Sequence, residues 1–175
     1  MECYIRTKEA ITTNQTNDEV CVLNYEDEVL RAFGESAPVH VVWFSSARKL
    51  AEGFYLDGEE IFYAHDGNTE KVINVNDLNL LGRHNYENVM AATAMSVNFG
   101  VPMEKIVEVL KRFQAVEHRI EYVTEKRGVR FYNDSKGTNP DAAIQGIRAM
   151  NRCSDTFNLV VIAHTMSGLM HLTEK

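Results

Sequence analysis

Two short apolar runs, residues 20–23 (Val-Cys-Val-Leu) and 39–44 (Val-His-Val-Val-Trp-Phe), bracket a stretch in which Val29, Leu30 and Phe33 recur at helical spacing. Runs of this length, rich in β-branched and aromatic residues, read as buried strands, and the stretch between them reads as a helix over 27–33. Strand–helix–strand order predicts a parallel α/β unit. Gly34 follows as the expected helix stop, and residues 4–13 read as a short helix ahead of the first strand. Downstream the pattern changes. Runs 54–56 and 60–64 flank Asp57-Gly58, a strong hairpin signal, and 71–75 reads as another short strand. Phe54, Tyr55, Phe62 and Tyr63 are read as sheet packing rather than a base-stacking surface.

A helical hairpin is expected next. Its first helix, 84–98, follows Gly82, is closed by Gly100 and places Val89, Met90, Thr93, Ala94 and Val97 on one face. The second, 103–113, turns Ile106, Val109, Leu110 and Phe113 inward. Asn85 and Asn88 lie three apart on the first turn. Each amide offers a donor and an acceptor, which suits the edge of an adenine ring, although Asn85 as a simple helix cap is the commoner role. The polar joint Glu117-His118-Arg119 then divides the chain near residue 115.

A second hairpin, 120–124 with 129–132, leads into Asn133-Asp134-Ser135-Lys136-Gly137-Thr138-Asn139-Pro140 and a helix over 141–150. A carboxylate, an ammonium and two hydroxyls thus stand on a strand-to-helix turn. Ligands of open α/β sheets bind at such carboxyl ends, and helix N-termini favour anions. Gly137 permits a bend or a close approach to a ligand, with Asn139 as N-cap and Pro140 as first helical residue. Spacing alone fits an ordinary polar loop equally well.

The 175 residues suffice for one domain or two small ones, and the net charge of −7 argues against a general nucleic-acid or acidic-membrane binder. A few local cations can still hold a nucleotide. Cys3, Cys21 and Cys153 have no paired spacing and read as reduced thiols. With no signal peptide and no run of bilayer length, the expected location is cytoplasmic and the expected state a monomer.

The motif Asn-Asp-Ser-Lys-Gly-Thr-Asn, together with His84-Asn85-x-x-Asn88 and the His118-Arg119 pair, resembles the D-glutamate-adding branch of the Mur ligase family, over roughly residues 1–152. The resemblance implies the C-terminal part of a central ATP-binding domain over 1–115, then the start of a Rossmann-like C-terminal ligase domain over 116–175. It implies an ATP- and Mg²⁺-dependent C–N ligase of peptidoglycan synthesis. ATP phosphorylates the carboxylate of UDP-N-acetylmuramoyl-L-alanine, and the amine of D-glutamate displaces phosphate. In that scheme Asn85 and Asn88 contact adenine, Asp134 the ribose, Arg119 and Lys136 the phosphates, and Thr138 the incoming D-glutamate. Tyr4-x-x-x-Lys8 is similar to the segment that holds the family's carbamylated lysine, so Lys8 as a carbamate would support the metal.

Other family features have no counterpart. No Gly-Lys-Ser or Gly-Lys-Thr phosphate loop occurs, nor the family's sugar-binding domain or the glutamate and histidine completing its metal site. After Arg152 the match stops. Residues 158–163 still read as a strand, but 164–168 do not resemble the family's glycine-rich turn. The expectation is a truncated or frame-shifted piece of a ligase, inactive alone. Two alternatives stand beside it. One is a different ligase of the superfamily such as a folylpolyglutamate synthase, against which Lys136-Gly137-Thr138 argues. The other is a non-catalytic remnant that binds nucleotide weakly or only packs.

Overall fold

The computed structural model describes residues 2–114, 117–138 and 140–150. The chain divides into two compact units, 1–114 and 115–175. The strand expected at 158–163, the Asn139 cap and Cys153 lie outside the described residues.

In the first unit α1 (Glu2–Glu9) precedes β1 (Val20–Asn24), α2 (Glu28–Ser36) and β2 (His40–Ser45). β1 and β2 pair in parallel, Val20 opposite His40 through Asn24 opposite Phe44. Cys21, Leu23 and Val39 form a buried cluster against which Leu30, Phe33, Ala37, Val41 and Trp43 pack. Strand alternation leaves Val42 and Phe44 for the opposite face. Asp27 caps α2, its Oδ1 accepting from the backbone N–H of Val29 (2.9 Å) and Leu30 (3.1 Å).

Gly34 does not stop α2. The helix runs on to Ser36 and ends at Ala37, whose ψ of 140° is the extended conformation expected before Pro38. Gly34 serves packing: a Cβ there would meet the Trp43 ring and, at 2.9 Å, Leu23 Cδ1. Its bare backbone lets α2 lie directly on the sheet.

β3 (Gly53–Asp57) adds to β2 in parallel, then β4 (Glu60–His65) and β5 (Asn68–Asn74) follow antiparallel, giving the mixed order β1-β2-β3-β4-β5. Asp57 pairs with Glu60, so the first hairpin turns on Gly58-Glu59, with Gly58 at φ 59° as a type II′ turn requires. The second turns on Asp66-Gly67, both at positive φ (51° and 72°), a type I′ pair. Phe54 stacks on Tyr63 at 4.3 Å and Tyr55 on Phe62 at 5.4 Å, the cross-strand packing expected of these aromatics.

α3 (Arg83–Asn98) lies along β1, β2 and β3, and buries Val89, Met90, Thr93 and Ala94. α4 (Met103–Arg112) packs on α3 and β5. Only Ile106 of its expected inward set is buried; Val109 and Phe113 are 54% and 45% exposed, because an apolar stripe defines a face but not that another element covers it.

The second unit contains a separate two-stranded sheet, β6 (Glu121–Lys126) with β7 (Val129–Asn133), followed by α5 (Pro140–Met150). The hairpin closes on Arg127-Gly128, both at positive φ. Among the described residues no helix is long and apolar enough to cross a membrane.

Candidate functional site

In the first unit, polar chemistry collects at the carboxyl ends of β1 and β2. Ser45 is fully buried and donates to Glu26 Oε1 at 2.6 Å. Its Oγ accepts from the N–H of Ala47 and Arg48 at 3.1 Å each. Arg48 closes a bidentate pair on Glu26 through Nε (2.9 Å) and a terminal nitrogen (2.8 Å). The Arg48 hydrogen bond, with help from Ser45, holds the Glu26 carboxyl below the usual carboxylate range against the opposing effect of burial. Next to it, Arg83 Nε donates to Ser46 Oγ at 2.8 Å, and the guanidinium also donates to the Ser46 carbonyl. Ser46 Oγ donates to Glu87. Arg83 and Glu87 are both in the first turns of α3, so this helix end is pinned to the end of β2.

That pinned end carries Asn85 and Asn88. Gly82, at φ 94°, is the N-cap, so Asn85 is not a cap. Asn85 is buried, and its Nδ2 donates to Leu81 O at 2.7 Å; its amide oxygen has no hydrogen-bond partner among the described residues. Asn88 is exposed. The two amides therefore differ, one fixed and one open to solvent, although both sit on the first turns of one helix.

In the second unit the turn 133–138 is folded back against residues 118–120. Ser135 N–H donates to Asn133 Oδ1 (3.1 Å) and Gly137 N–H to Asp134 O (2.9 Å), so an Asx turn runs into a β-turn. Lys136 N–H donates to His118 O at 3.0 Å, and Ile120 N–H to Asp134 Oδ1 at 3.1 Å. Asn133 Nδ2 meets His118 Nδ1 at 2.8 Å. His118 and Ile120 both have positive φ (68° and 50°), which for a β-branched residue is an outlier that surrounding contacts must hold. Arg119 stands exposed between them, and Lys136 is exposed on the strand of chain bonded to His118. Two cations far apart in sequence are thus on neighbouring backbone, and neither forms an ion pair among the described residues. Thr138 is exposed two residues on.

Gly137 is used differently from the sequence expectation. Its φ is ordinary, and a Cβ would fall 2.9 Å from Asp134 Oδ2. A Cβ on Gly146, inside α5, would fall 2.8 Å from the same oxygen. Two glycines therefore make room for one carboxylate. His118 and Asn133 stood in the motifs read from the sequence but without a role, and Gly146 was not singled out; the Asn-x-Ser order before a turn was the available signal for Asn133.

Lys8 lies on exposed α1 with Nζ 5.5 Å from the centroid of the Tyr4 ring, a cation–π contact. Among the described residues no group of three His, Cys, Asp or Glu side chains is placed to hold a metal ion. The described residues do not by themselves fit a Mg²⁺ site.

This α/β unit with its strand-end cluster matches a known family profile. Residues 1–96 match the Mur ligase middle domain, and the chain belongs to the Mur ligase family. Among its relatives is the UDP-N-acetylmuramoylalanine–D-glutamate ligase of Lachnospira eligens, 56% identical over 150 residues, which cover 86% of this chain and 33% of that protein. The ligase of the same name from Lachnoclostridium phytofermentans is 53% identical over the same share. The chain spans about a third of the length of these curated relatives. In fold it is similar to the UDP-N-acetylmuramoylalanyl-D-glutamyl-2,6-diaminopimelate–D-alanyl-D-alanyl ligase of Acinetobacter baumannii (TM-score 0.64, 19% identity, 83% of this chain and 32% of that one). It is also similar to the folylpolyglutamate synthetase of Lactobacillus casei (TM-score 0.55, 13% identity, 89% of this chain and 41% of that one).

Proposed function

We propose that this chain is the nucleotide-handling portion of a cytoplasmic, monomeric ligase that joins D-glutamate to UDP-N-acetylmuramoyl-L-alanine at the expense of ATP. The observation that carries the reading is the 56% identity to a D-glutamate ligase across a stretch that includes the whole turn from Asn133 to Thr138. Residues 1–115 are the C-terminal part of the ATP-binding domain and 116–175 the start of the ligase domain. The exposed Asn88 amide and the free amide oxygen of Asn85 suit the adenine edge. Arg119 and Lys136, exposed on adjoining backbone, suit phosphate oxygens. Asp134 has one carboxylate oxygen on Ile120 N–H, and the other is the candidate for ribose. Thr138 meets D-glutamate. Lys8, as a carbamate, would take part in Mg²⁺ binding only with ligands beyond those described, and no step is derived through it.

By itself the chain is expected to form no amide bond, since its 175 residues contain no Gly-Lys-Ser or Gly-Lys-Thr loop to cradle phosphates. Purified chain with ATP, Mg²⁺, D-glutamate and UDP-N-acetylmuramoyl-L-alanine should release no phosphate above the no-protein control. Titrated with ADP, it should bind in about the millimolar range, roughly 4 kcal/mol. NMR shifts should fall at Asn88 and Asp134 and weaken in Asn88→Ala and Asp134→Ala. Turnover that is lost in Lys136→Ala, and so belongs to the chain and not to a contaminant, or shifts indifferent to both substitutions, would refute this assignment.

A further inference from the structure

The exposed pair Arg119 and Lys136 depends on a corner that the backbone does not favour. His118 and Ile120 flank Arg119, and both have positive φ. Neither is a glycine, so side-chain and backbone bonds must hold the corner. The Asn133 side chain is placed to do this with both ends of its amide. Its Oδ1 accepts from Ser135 N–H at 3.1 Å, which fixes it as an acceptor and leaves Nδ2 as the group 2.8 Å from His118 Nδ1. A donor there requires His118 Nδ1 to be unprotonated, with the ring proton on Nε2. The charged neighbours of this ring are Glu121 on β6, whose Oε2 is 3.5 Å from Nδ1 and accepts the His118 N–H at 2.8 Å, and Arg119 beside it in the chain.

We infer that Asn133 is a positioning residue: its amide clasps the His118 ring to the turn and thereby sets Arg119 and Lys136 side by side as one anion-binding edge. The inference rests on the reading of those two cations as phosphate contacts. Asn133 itself touches no ligand; it acts through His118, whose carbonyl in turn accepts from Lys136 N–H at 3.0 Å. The clasp gives a chemical reason for an asparagine at the first position of the motif. Aspartate at that site would keep the bond to Ser135 and lose the donor to a neutral His118.

The test uses the full chain and inorganic tripolyphosphate as probe, at pH 8, where histidine is ordinarily neutral. Long-range ¹⁵N NMR of the wild-type chain should show the His118 proton on Nε2; a proton on Nδ1 would overturn the clasp without any variant being made. Tripolyphosphate should shift the amides of Arg119 and Lys136. Asn133→Ala and His118→Ala should each weaken that binding about fivefold, the scale of one lost hydrogen bond. The double variant should be no weaker than either single one, because both remove the same link. Fully additive losses, or binding unchanged in Asn133→Ala, would refute the positioning role. Absence of any shift at Arg119 and Lys136 in the wild-type chain would instead refute the phosphate reading on which it stands.

Discussion

Gly146 offers a test in which one substitution should change sign with its surroundings. Glycine inside a helix ordinarily costs about 1 kcal/mol relative to alanine, so Gly146→Ala in α5 would be stabilising if nothing stood near it. Here the new Cβ would lie 2.8 Å from Asp134 Oδ2, closer than real Cβ contacts allow. The carboxylate must move, and its Oδ1 is the acceptor for Ile120 N–H at 3.1 Å. A hydrogen bond to a charged acceptor contributes about 1.5–3 kcal/mol. The net effect expected is therefore a loss of about 0.5–2 kcal/mol. In an Asp134→Ala background no carboxylate remains to be displaced, and the same Gly146→Ala change should stabilise by about 1 kcal/mol. Amide hydrogen exchange suits the measurement, because it reads the second unit locally. Protection of the Ile120 amide should fall in Gly146→Ala alone, and protection along α5 should rise in the double variant over Asp134→Ala. A stabilising Gly146→Ala in both backgrounds would refute the seating of Asp134 between Gly137 and Gly146.

Three further outcomes follow from the first unit. Because the Arg48 hydrogen bond lowers the Glu26 pKa on folding, Glu26 contributes stability above the ordinary carboxylate pKa of about 4.3, and that contribution fades as pH falls through the lower folded value. Urea midpoints between pH 3 and 6 should show this slope in the wild-type chain and a shallower one in Glu26→Gln. Gly53→Ala should cost about 3 kcal/mol or abolish folding, since Gly53 sits at φ 114° with a Cβ position against the Trp43 carbonyl oxygen; thermal unfolding followed by Trp43 fluorescence would register it. Asn85→Ala should lower stability by about 1 kcal/mol through loss of the bond to Leu81 O, whereas Asn88→Ala, on an exposed site, should leave the same unfolding curve unchanged.

Much of the architecture was legible because burial imposes simple patterns. The apolar runs at 20–23 and 39–44 became β1 and β2, paired in parallel, and the aromatics at 54, 55, 62 and 63 stack across a hairpin. Glycines were harder, since one residue type answers several demands. Gly34 was expected to end a helix and instead lets it touch Trp43 and Leu23; Gly137 was expected to bend a turn and instead admits a carboxylate. Asp66-Gly67 repeats the Asp-Gly pair of Asp57-Gly58 and went unread, although only Asp66-Gly67 forms the two central residues of its turn, a type I′. The helical spacing of Val109 and Phe113 was real, yet the stripe extends beyond what α3 and β5 cover. Of the site, the turn at 133–138 announced itself. Its dependence on His118 and Asn133 did not, because bonds between residues fifteen apart leave no periodic trace.

The ligase reading is tested most directly by a chimera. The segment of the Lachnospira eligens D-glutamate ligase that matches this chain over 150 residues is replaced by the corresponding residues of this chain, and phosphate release is measured with ATP, Mg²⁺, UDP-N-acetylmuramoyl-L-alanine and D-glutamate. The chimera should turn over with strict dependence on D-glutamate, within about tenfold of the parent, and Lys136→Ala in it should cost about 100-fold or more, as expected for loss of a charge-stabilising contact. A folded chimera without D-glutamate-dependent phosphate release, or one whose turnover survives Lys136→Ala, would contradict the account.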